Sequence, residues 1–126
     1  MATSISTKAA PAAIGPYSQA VRAGSTVYLS GQIALDPDSG QLIQGGFEAQ
    51  VHRAIQNMKA VVEASGGSLE QCVRLTLYLT DLANFPKAND IMQEYFKPPF
   101  PARSTVGVAS LPRGAAFEIE ATVVLE

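Results

Sequence analysis

The chain has 126 residues, the size of one domain, with a formal net charge of −2 and a pI of about 5.3. Its lysines and arginines are scattered, which excludes the basic surface of a nucleic-acid-binding protein, and its one cysteine, Cys72, excludes a disulfide framework. No apolar run is long enough for a membrane span or a signal peptide, so we expect a cytoplasmic protein. The length predicts one domain over residues 1–126, and because only 16% of the residues are charged we expect it to form a homo-oligomer.

The first part of the chain predicts two strands and then a long helix. Residues 19–22 and 26–30 are extended segments joined by a turn at Gly24, and Val27 and Leu29 alternate with polar neighbours. A helix is predicted between Gly46 and Gly66, where apolar residues recur at helical spacing. These apolar residues are Phe47, Val51, Ala54, Ile55, Met58, Val61 and Val62.

The second part predicts a strand, a helix and two further strands. Residues 73–80 follow a short turn that begins with a capping box at Ser68, and they alternate strictly. Asn84 is predicted to cap a second helix, which cannot continue past Pro98. Two strands follow around residues 111–114. The predicted helix-facing residues are Val73, Leu75, Leu77 and Leu79, then Val106 and Val108, then Phe117, Ile119, Ala121, Val123 and Leu125. The order predicts an α+β fold, a mixed β-sheet with two helices on one face.

Strand alternation predicts that three charged residues share the sheet face opposite the helices. If Val106 faces the helices, Arg103 points away from them, and if Phe117 faces the helices, Glu118 and Glu120 also point away. A guanidinium binds a carboxylate through two N–H groups, and a nearby carboxylate can orient or deprotonate water. In an oligomer packed through this face, the pattern would form a hydrolytic site between subunits. Spacing alone favours the alternative that Arg103 and Glu118 form an ordinary cross-strand ion pair.

Six short motifs occur in the order and spacing of one known family. They are Ile14-Gly15-Pro16-Tyr17-Ser18-Gln19, Ser30-Gly31-Gln32, Thr80-Asp81-Leu82 with Phe85 and Asn89, Pro101-Ala102-Arg103-Ser104, Leu111-Pro112 and Glu118-Ile119-Glu120-Ala121. From about Ala13 to Val124 the chain resembles the Rid family (YjgF/YER057c/UK114), and within it the RidA-type enamine/imine deaminases.

The resemblance implies a fold, an assembly and an activity. The fold is chorismate-mutase-like and forms a homotrimer with active sites between subunits. The activity is hydrolysis of 2-aminoacrylate (2-iminopropanoate) and 2-iminobutanoate, released by pyridoxal-phosphate dehydratases, to 2-keto acids and ammonia. The resemblance implies no cofactor. The alternative from another functional class is a non-catalytic protein that binds or senses small carboxylates. A ribonuclease is disfavoured by the acidic pI and the lone His52.

The resemblance also implies the roles of particular residues. Arg103 matches the arginine that holds the substrate carboxylate, and Glu118 matches the glutamate that positions the attacking water. The expected pocket residues are Tyr17, Ser30, Gly31, Asn89 and Thr105. Many relatives have cysteine at the position of Thr105, so we expect the backbone of this residue to serve the deaminase reaction and no thiol-dependent activity.

Several of these residues also have simpler interpretations. Tyr17 would be a packing aromatic residue, Ser30 and Gly31 the end of a strand, and Asn89 a polar residue on the exposed side of its helix. Glu120 is expected to have a structural role in an interface. His52 is expected at the solvated surface, and a single histidine cannot form a metal site.

Overall fold

The computed structural model describes residues 2–126. In chain order its strands and longer helices are β1 (Thr3–Ile5), β2 (Ala20–Ala23), β3 (Thr26–Gln32), α1 (Phe47–Ala64), β4 (Cys72–Leu79), α2 (Phe85–Tyr95), β5 (Ala102–Gly107) and β6 (Phe117–Val124). Three 3₁₀ turns lie at Leu69–Gln71, Leu82–Asn84 and Pro112–Gly114. The short strand β1 was not predicted, because three residues are too few to show a periodic pattern.

Within residues 2–126 the six strands form one sheet in the order β1-β2-β3-β6-β4-β5. Only the β4–β5 pair is parallel, and the other neighbouring pairs are antiparallel. The predicted α+β fold with a mixed sheet is therefore confirmed. No helix in the described part of the chain is long and apolar enough to cross a membrane.

The core lies between the sheet and the two helices. The apolar stripe of α1 is buried as predicted, apart from Phe47, which is half-buried and packs edge-on against Phe117 of β6. Both members of the predicted capping box at Ser68 are present, with Gln71 as its partner. Burying this many aliphatic side chains supplies most of the free energy that holds α1 and α2 on the sheet.

The N-terminus of α2 differs from the prediction. Asn84 occupies the capping position, but its side chain makes no capping hydrogen bond. Asp81 caps instead, because its carboxylate accepts a 2.9 Å hydrogen bond from the backbone N–H of Ala83 at the start of the preceding 3₁₀ turn. The predicted end of the helix before Pro98 is correct, since α2 ends at Tyr95.

β4 departs from strict alternation at its first residues. Cys72 pairs with Val123 whereas Arg74 pairs with Thr122, so one extra residue forms a bulge in β4. The bulge leaves Val73 47% exposed and buries Cys72 in its place. The prediction that Val73 faces the helices was wrong, because a bulge leaves no mark in the alternation of residue types. Burial raises the pKa of the Cys72 thiol to about 12, so the thiol stays protonated near neutral pH.

The two faces of β5 are the reverse of those predicted. Parallel pairing sets Arg103 beside Leu75 and Thr105 beside Leu77, and both leucines are buried beneath the helices. Arg103 and Thr105 therefore point to the helix-covered face, whereas Val106 is 40% exposed on the open face. β5 is an edge strand that contributes little to the core, so the need for burial does not fix its alternation.

The loop after β3 is fixed by the buried side chain of Asn57, which lies on α1. The Asn57 amide donates hydrogen bonds to the carbonyls of Ile33, at 3.1 Å, and Leu35, at 2.9 Å. Its side-chain oxygen accepts a 3.0 Å hydrogen bond from Nε of Arg53. Asn57 is 0% exposed, so these partners replace the water that its amide loses on folding.

Replacing Asn57 by alanine is expected to lower the free energy of unfolding by about 2–4 kcal/mol, because it leaves two carbonyls without their donor and opens a small cavity. Urea unfolding followed by circular dichroism measures this change. Gln56→Ala is the matched control, since Gln56 is the exposed neighbour on the same helix and should change stability by less than about 0.5 kcal/mol. Equal stability of the two variants would contradict the structural role of Asn57.

Candidate active site

A first cleft opens beside the edge strand β5, and we name it the Arg103 cleft. It has a volume of about 410 Å³ and lies between β5, α2 and the proline-rich segment before β5. Its lining residues are Leu75, Asn89, Met92, Gln93, Phe96, Phe100, Pro101 and Arg103. Three of its lining side chains are polar, so a polar group bound there would depend on Arg103, Asn89 and Gln93 for side-chain hydrogen bonds.

Arg103 is held in a fixed orientation by two residues of α2. Its Nη1 donates a 2.9 Å hydrogen bond to the side-chain oxygen of Asn89. Its guanidinium carbon lies 5.2 Å from the ring centroid of Phe85, in a cation–π contact. Phe85 and Asn89 are four residues apart on one helix, so both reach the same point from adjacent turns. Asn89 takes one of the five N–H donors of the guanidinium, which leaves others for a planar carboxylate.

A second cleft, the Glu118 cleft, lies on the open side of the sheet. It has a volume of about 700 Å³ and is bounded by β3, β6, the loop before β2 and the 3₁₀ turn before β6. Its lining residues are Pro11, Ala12, Ile14, Tyr17, Gln19, Ser30, Gly31, Gln32, Ile33, Leu35, Pro112, Arg113, Glu118 and Glu120. It brings together four of the predicted site residues, namely Tyr17, Ser30, Gly31 and Glu118.

Glu118 is half-buried and lies directly over Gly31. A β-carbon at Gly31 would overlap the carboxylate oxygen Oε2 of Glu118, so the missing side chain of Gly31 makes room for this carboxylate. Burial raises the pKa of Glu118, and the charge of Glu120, two residues along the same strand face, raises this pKa further. A carboxylate with a raised pKa is a stronger base for a water molecule than an exposed one.

Ser30 on β3 and Tyr17 in the loop before β2 also line the Glu118 cleft. The Ser30 hydroxyl donates a 2.6 Å hydrogen bond to the carbonyl of Ser18, and the Ser30 backbone N–H donates to the carbonyl of Gln19 at 3.0 Å. Ser30 therefore fixes the loop that carries Tyr17, and its oxygen keeps lone pairs that can still accept a hydrogen bond. Tyr17 is 54% exposed, so it is not the packed aromatic residue of the simpler interpretation.

Replacing Gly31 by alanine is expected to lower activity about tenfold or more while changing the free energy of unfolding by less than about 1 kcal/mol. The new methyl group would displace the end of the flexible Glu118 side chain and leave the backbone in place. Enzyme kinetics and thermal unfolding of the same preparation separate the two effects. Gly46→Ala is the control, because a β-carbon there meets no atom within 4 Å. Full activity of Gly31→Ala would contradict the close packing of Glu118 on Gly31.

Arg103 and Glu118 lie on opposite faces of the sheet within one chain. Arg103 shares the helix-covered face with Leu75, whereas Glu118 lies between the buried residues Phe117 and Ile119 and points to the open face. The prediction that Arg103 and Glu118 share one face was wrong. The alternative of a cross-strand ion pair is also wrong for a single chain, because β4 separates β5 from β6.

The other predicted site residues fall into two groups. Asn89 joins Arg103, and Thr105 points to the same sheet face but lines neither cleft. Glu120 lines the Glu118 cleft and accepts a 2.5 Å hydrogen bond from the hydroxyl of Tyr78. The prediction for Glu120, a structural role in an interface, stays a prediction.

Three neighbours of the site were not predicted as site residues. Phe85 contacts Arg103, Phe100 lines the Arg103 cleft, and Arg113 lines the Glu118 cleft. The four-residue spacing between Phe85 and Asn89 is a signal in the sequence that could have identified Phe85. Phe100 lies in a segment without regular structure and Arg113 in a short 3₁₀ turn, and in neither does residue spacing indicate the direction of a side chain.

His52 differs from its prediction and lies outside both clefts. It is half-buried, and its Nδ1 lies 2.8 Å from the hydroxyl of Tyr95 on α2. It therefore links the two helices, whereas the sequence predicted a solvated surface residue. Among residues 2–126 no group of three histidine, cysteine, aspartate or glutamate side chains is placed to hold a metal ion.

Comparison with known proteins relates this arrangement to a family. The model of the family described as Endoribonuclease L-PSP matches residues 7–125. A protein of Dermatophagoides farinae named 2-iminobutanoate/2-iminopropanoate deaminase is 51% identical over 97% of this chain and 95% of its own length. A human protein with the same name is 47% identical over 95% of this chain and 88% of its own length.

A solved structure confirms the fold. The crystal structure of a putative endoribonuclease from Thermotoga maritima has a TM-score of 0.96 and 45% identity, and the match covers 98% of each chain. At this similarity both the backbone path and much of the sequence agree. The chain therefore belongs to the Endoribonuclease L-PSP family, which is the YjgF/Rid family identified by its motifs.

Proposed function

We propose that this chain is an imine deaminase that hydrolyses 2-iminobutanoate and 2-iminopropanoate, the tautomer of 2-aminoacrylate, to 2-keto acids and ammonia. The observation that carries the proposal is the 51% identity, over 97% of the chain, to a relative named for this activity. We propose further that residues 1–126 form one domain of this family and act in the cytoplasm on imines released by pyridoxal-phosphate dehydratases.

The reaction requires a cation that binds the substrate carboxylate and a base that activates water, and the two clefts contain one of each. Arg103 holds the substrate carboxylate, and C2 of the imine is already electrophilic. Glu118 takes a proton from water as the new C2–O bond forms. The electron pair of the C2=N bond moves to nitrogen, which takes the proton back from Glu118 and gives a neutral amino alcohol. The C2–N bond then breaks as the hydroxyl proton passes to the nitrogen, so ammonia leaves and the keto group forms. This sequence uses one water molecule and requires no covalent intermediate.

We propose that the complete site forms between two copies of the chain in a homotrimer. The Arg103 cleft holds an anion-binding group but no carboxylate, and the Glu118 cleft on the opposite face holds the base. The open face of the sheet supports association, since Tyr28 and Val106 are 55% and 40% exposed there. Arg103 of one subunit would then meet Glu118 of its neighbour, as in a heterologous ring interface.

A coupled assay tests the activity. A serine or threonine dehydratase generates the imine, semicarbazide traps the free imine, and keto-acid release is followed in competition with the trap. Wild type is expected to increase keto-acid release over trapping. A folded wild type that does not increase release would contradict the deaminase and favour the alternative, a protein that only binds or senses small carboxylates.

Mixing two inactive variants tests the shared site. Arg103→Ala and Glu118→Gln subunits, unfolded together and refolded, are expected to regain activity, because roughly a quarter of the interfaces in a random mixture would pair an intact Arg103 with an intact Glu118. Each variant refolded alone is the control. No recovery, in a mixture that sediments as an oligomer, would contradict a site shared between subunits. Sedimentation as a monomer at micromolar concentration would contradict the trimer itself.

Ribonuclease activity, which the family description names, receives no support from this chain's own site. The net charge of −2 does not favour a polyanion, and His52 is bonded to Tyr95 away from both clefts. RNA cleavage that persists in Arg103→Ala, in a nuclease-free preparation, would contradict this conclusion.

A further inference from the structure

The Glu118 cleft contains a second arginine that the proposed reaction does not use. Arg113 lies in the 3₁₀ turn between β5 and β6, and it lines the same cleft as Glu118 and Ser30. Its side chain is exposed and pairs with no carboxylate among residues 2–126. A guanidinium has five N–H donors, so Arg113 offers anion-binding donors at this position.

The backbone of Arg113 is in an unusual conformation. It has φ 62° and ψ 17°, and within residues 2–126 it is the one residue other than glycine with positive φ. This left-handed region disfavours any residue with a β-carbon, and asparagine or glycine occupies it at lower cost. Residues with strained backbones concentrate at functional sites. The arginine at this position therefore suggests that its side chain has a function.

The Glu118 cleft is larger than the imines of the proposed reaction require. Its volume of about 700 Å³ lies in the range of sites that hold drug-sized ligands, whereas 2-iminobutanoate has four carbon atoms. Ile33 and Leu35 form an apolar part of the wall. The side chain of Asn57 holds this segment through hydrogen bonds to the carbonyls of both residues. This volume is that of a single chain, and in the proposed trimer Arg103 of the neighbouring subunit would take up part of it. The substrate side chain would still meet an apolar surface beyond its third carbon.

The charges in the cleft select which longer side chains it can accept. Glu118 and Glu120 both line it and would repel a second carboxylate on the substrate. Arg113 lines the same cleft and is the cation that can offset this repulsion and bind that carboxylate. A neutral long side chain gains nothing from Arg113, so the arginine distinguishes substrates by the charge at the end of their side chains.

We propose that Arg113 is a specificity-determining residue that binds the side-chain carboxylate of 2-imino acids derived from dicarboxylic amino acids. The inference rests on the proposed function, because it assigns Arg103 to the carboxylate that all these substrates share. It adds a class of substrate, the five-carbon imine derived from glutamate, to the three- and four-carbon imines.

The test compares two five-carbon imines, derived from glutamate and from norvaline, which differ in the terminal charge. Each is generated by an amino acid oxidase that acts on both amino acids, and keto-acid release is measured against the semicarbazide trap. Wild type is expected to show the higher kcat/KM for the glutamate-derived imine. Arg113→Asn keeps a residue suited to the left-handed backbone and removes the charge. It is expected to lower kcat/KM for the glutamate-derived imine about tenfold, which corresponds to about 1.4 kcal/mol, and to change that for norvaline less than about twofold.

Two further variants separate charge from structure. Arg113→Lys retains a cation and is expected to keep most of the preference for the glutamate-derived imine. Lys59→Glu reverses an exposed charge on α1, outside the Glu118 cleft, and should leave the preference unchanged. An equal loss for both imines in Arg113→Asn would overturn the proposal and identify Arg113 as the residue that binds the shared carboxylate. No loss for either imine would also overturn it.

A binding measurement keeps this inference distinct from the proposed function. Calorimetric titration with 2-oxoglutarate and with 2-oxopentanoate, the corresponding keto acids, requires no turnover. Tighter binding of 2-oxoglutarate that disappears in Arg113→Asn supports the anion site even if wild type hydrolyses no imine, in which case only the deaminase reaction fails. Equal affinity of wild type for the two keto acids overturns the inference even if small imines are hydrolysed.

Discussion

Replacing Arg103 by alanine is expected to lower kcat/KM for 2-iminopropanoate about 100-fold or more. Two hydrogen bonds from a guanidinium to a carboxylate contribute about 1.5–3 kcal/mol each. Their loss raises the free energy of the transition state, relative to free enzyme and substrate, by the same amount. The carboxylate is present in both the substrate and the transition state, so most of the loss should appear as a higher KM. Arg103→Lys should recover only part of it, because an ammonium cannot reproduce the planar contacts with Asn89 and Phe85.

The comparison requires a second arginine with no part in either cleft. Arg22 lies at the end of β2, where its Nε donates a 2.8 Å hydrogen bond to the carbonyl of Gly24. Arg22→Ala removes the same charge and should leave kcat/KM within about twofold of wild type. If Arg103→Ala retains wild-type kcat/KM, the substrate carboxylate binds elsewhere, and Arg113 in the Glu118 cleft becomes the next residue to test.

The strands that the sequence predicted correctly are those whose alternation is imposed by burial. In β6 every second residue from Phe117 to Val123 is buried against the helices, so residue type and direction agree. In β5 no residue is buried, and valine at position 106 lies on the exposed face. On an edge strand an apolar residue can face either the core or a contact with another subunit. The valine at position 106 therefore did not indicate which face of β5 is covered by the helices, and the prediction chose the wrong one.

The difference between the buried strand β6 and the exposed edge strand β5 also limits what could be predicted of the site. The motifs predicted Arg103, Asn89, Ser30, Gly31 and Glu118 as site residues, and the structure places them in two groups. Division into an Arg103 cleft and a Glu118 cleft follows from the direction of β5, which the sequence does not encode locally. The site that we propose between two copies of the chain could not be derived from the alternation within one copy.

Replacing Glu118 by glutamine is expected to lower kcat about 10²–10⁴-fold, the range found for the loss of a general base. Glutamine has the same shape and fits over Gly31 as glutamate does, but its amide cannot take a proton from water. The loss should appear in kcat with a small change in KM, the opposite of the pattern for Arg103→Ala. Glu63→Gln, at an exposed position on α1, is the control and should leave kcat unchanged. An unchanged kcat in Glu118→Gln would exclude Glu118 as the base.

The pH profile gives a sharper test of the same role. A base must be deprotonated to act, and burial together with Glu120 raises the pKa of Glu118 above its ordinary value of 4.5. Activity should therefore fall on the acidic side at a pH above 4.5. Glu120→Gln removes the repulsion between the two carboxylates, so it should lower the pKa of Glu118 and shift this acidic limb to lower pH. An acidic limb that stays in place in Glu120→Gln would mean that a group other than Glu118 sets the pH dependence, and would assign the proton transfer to that group.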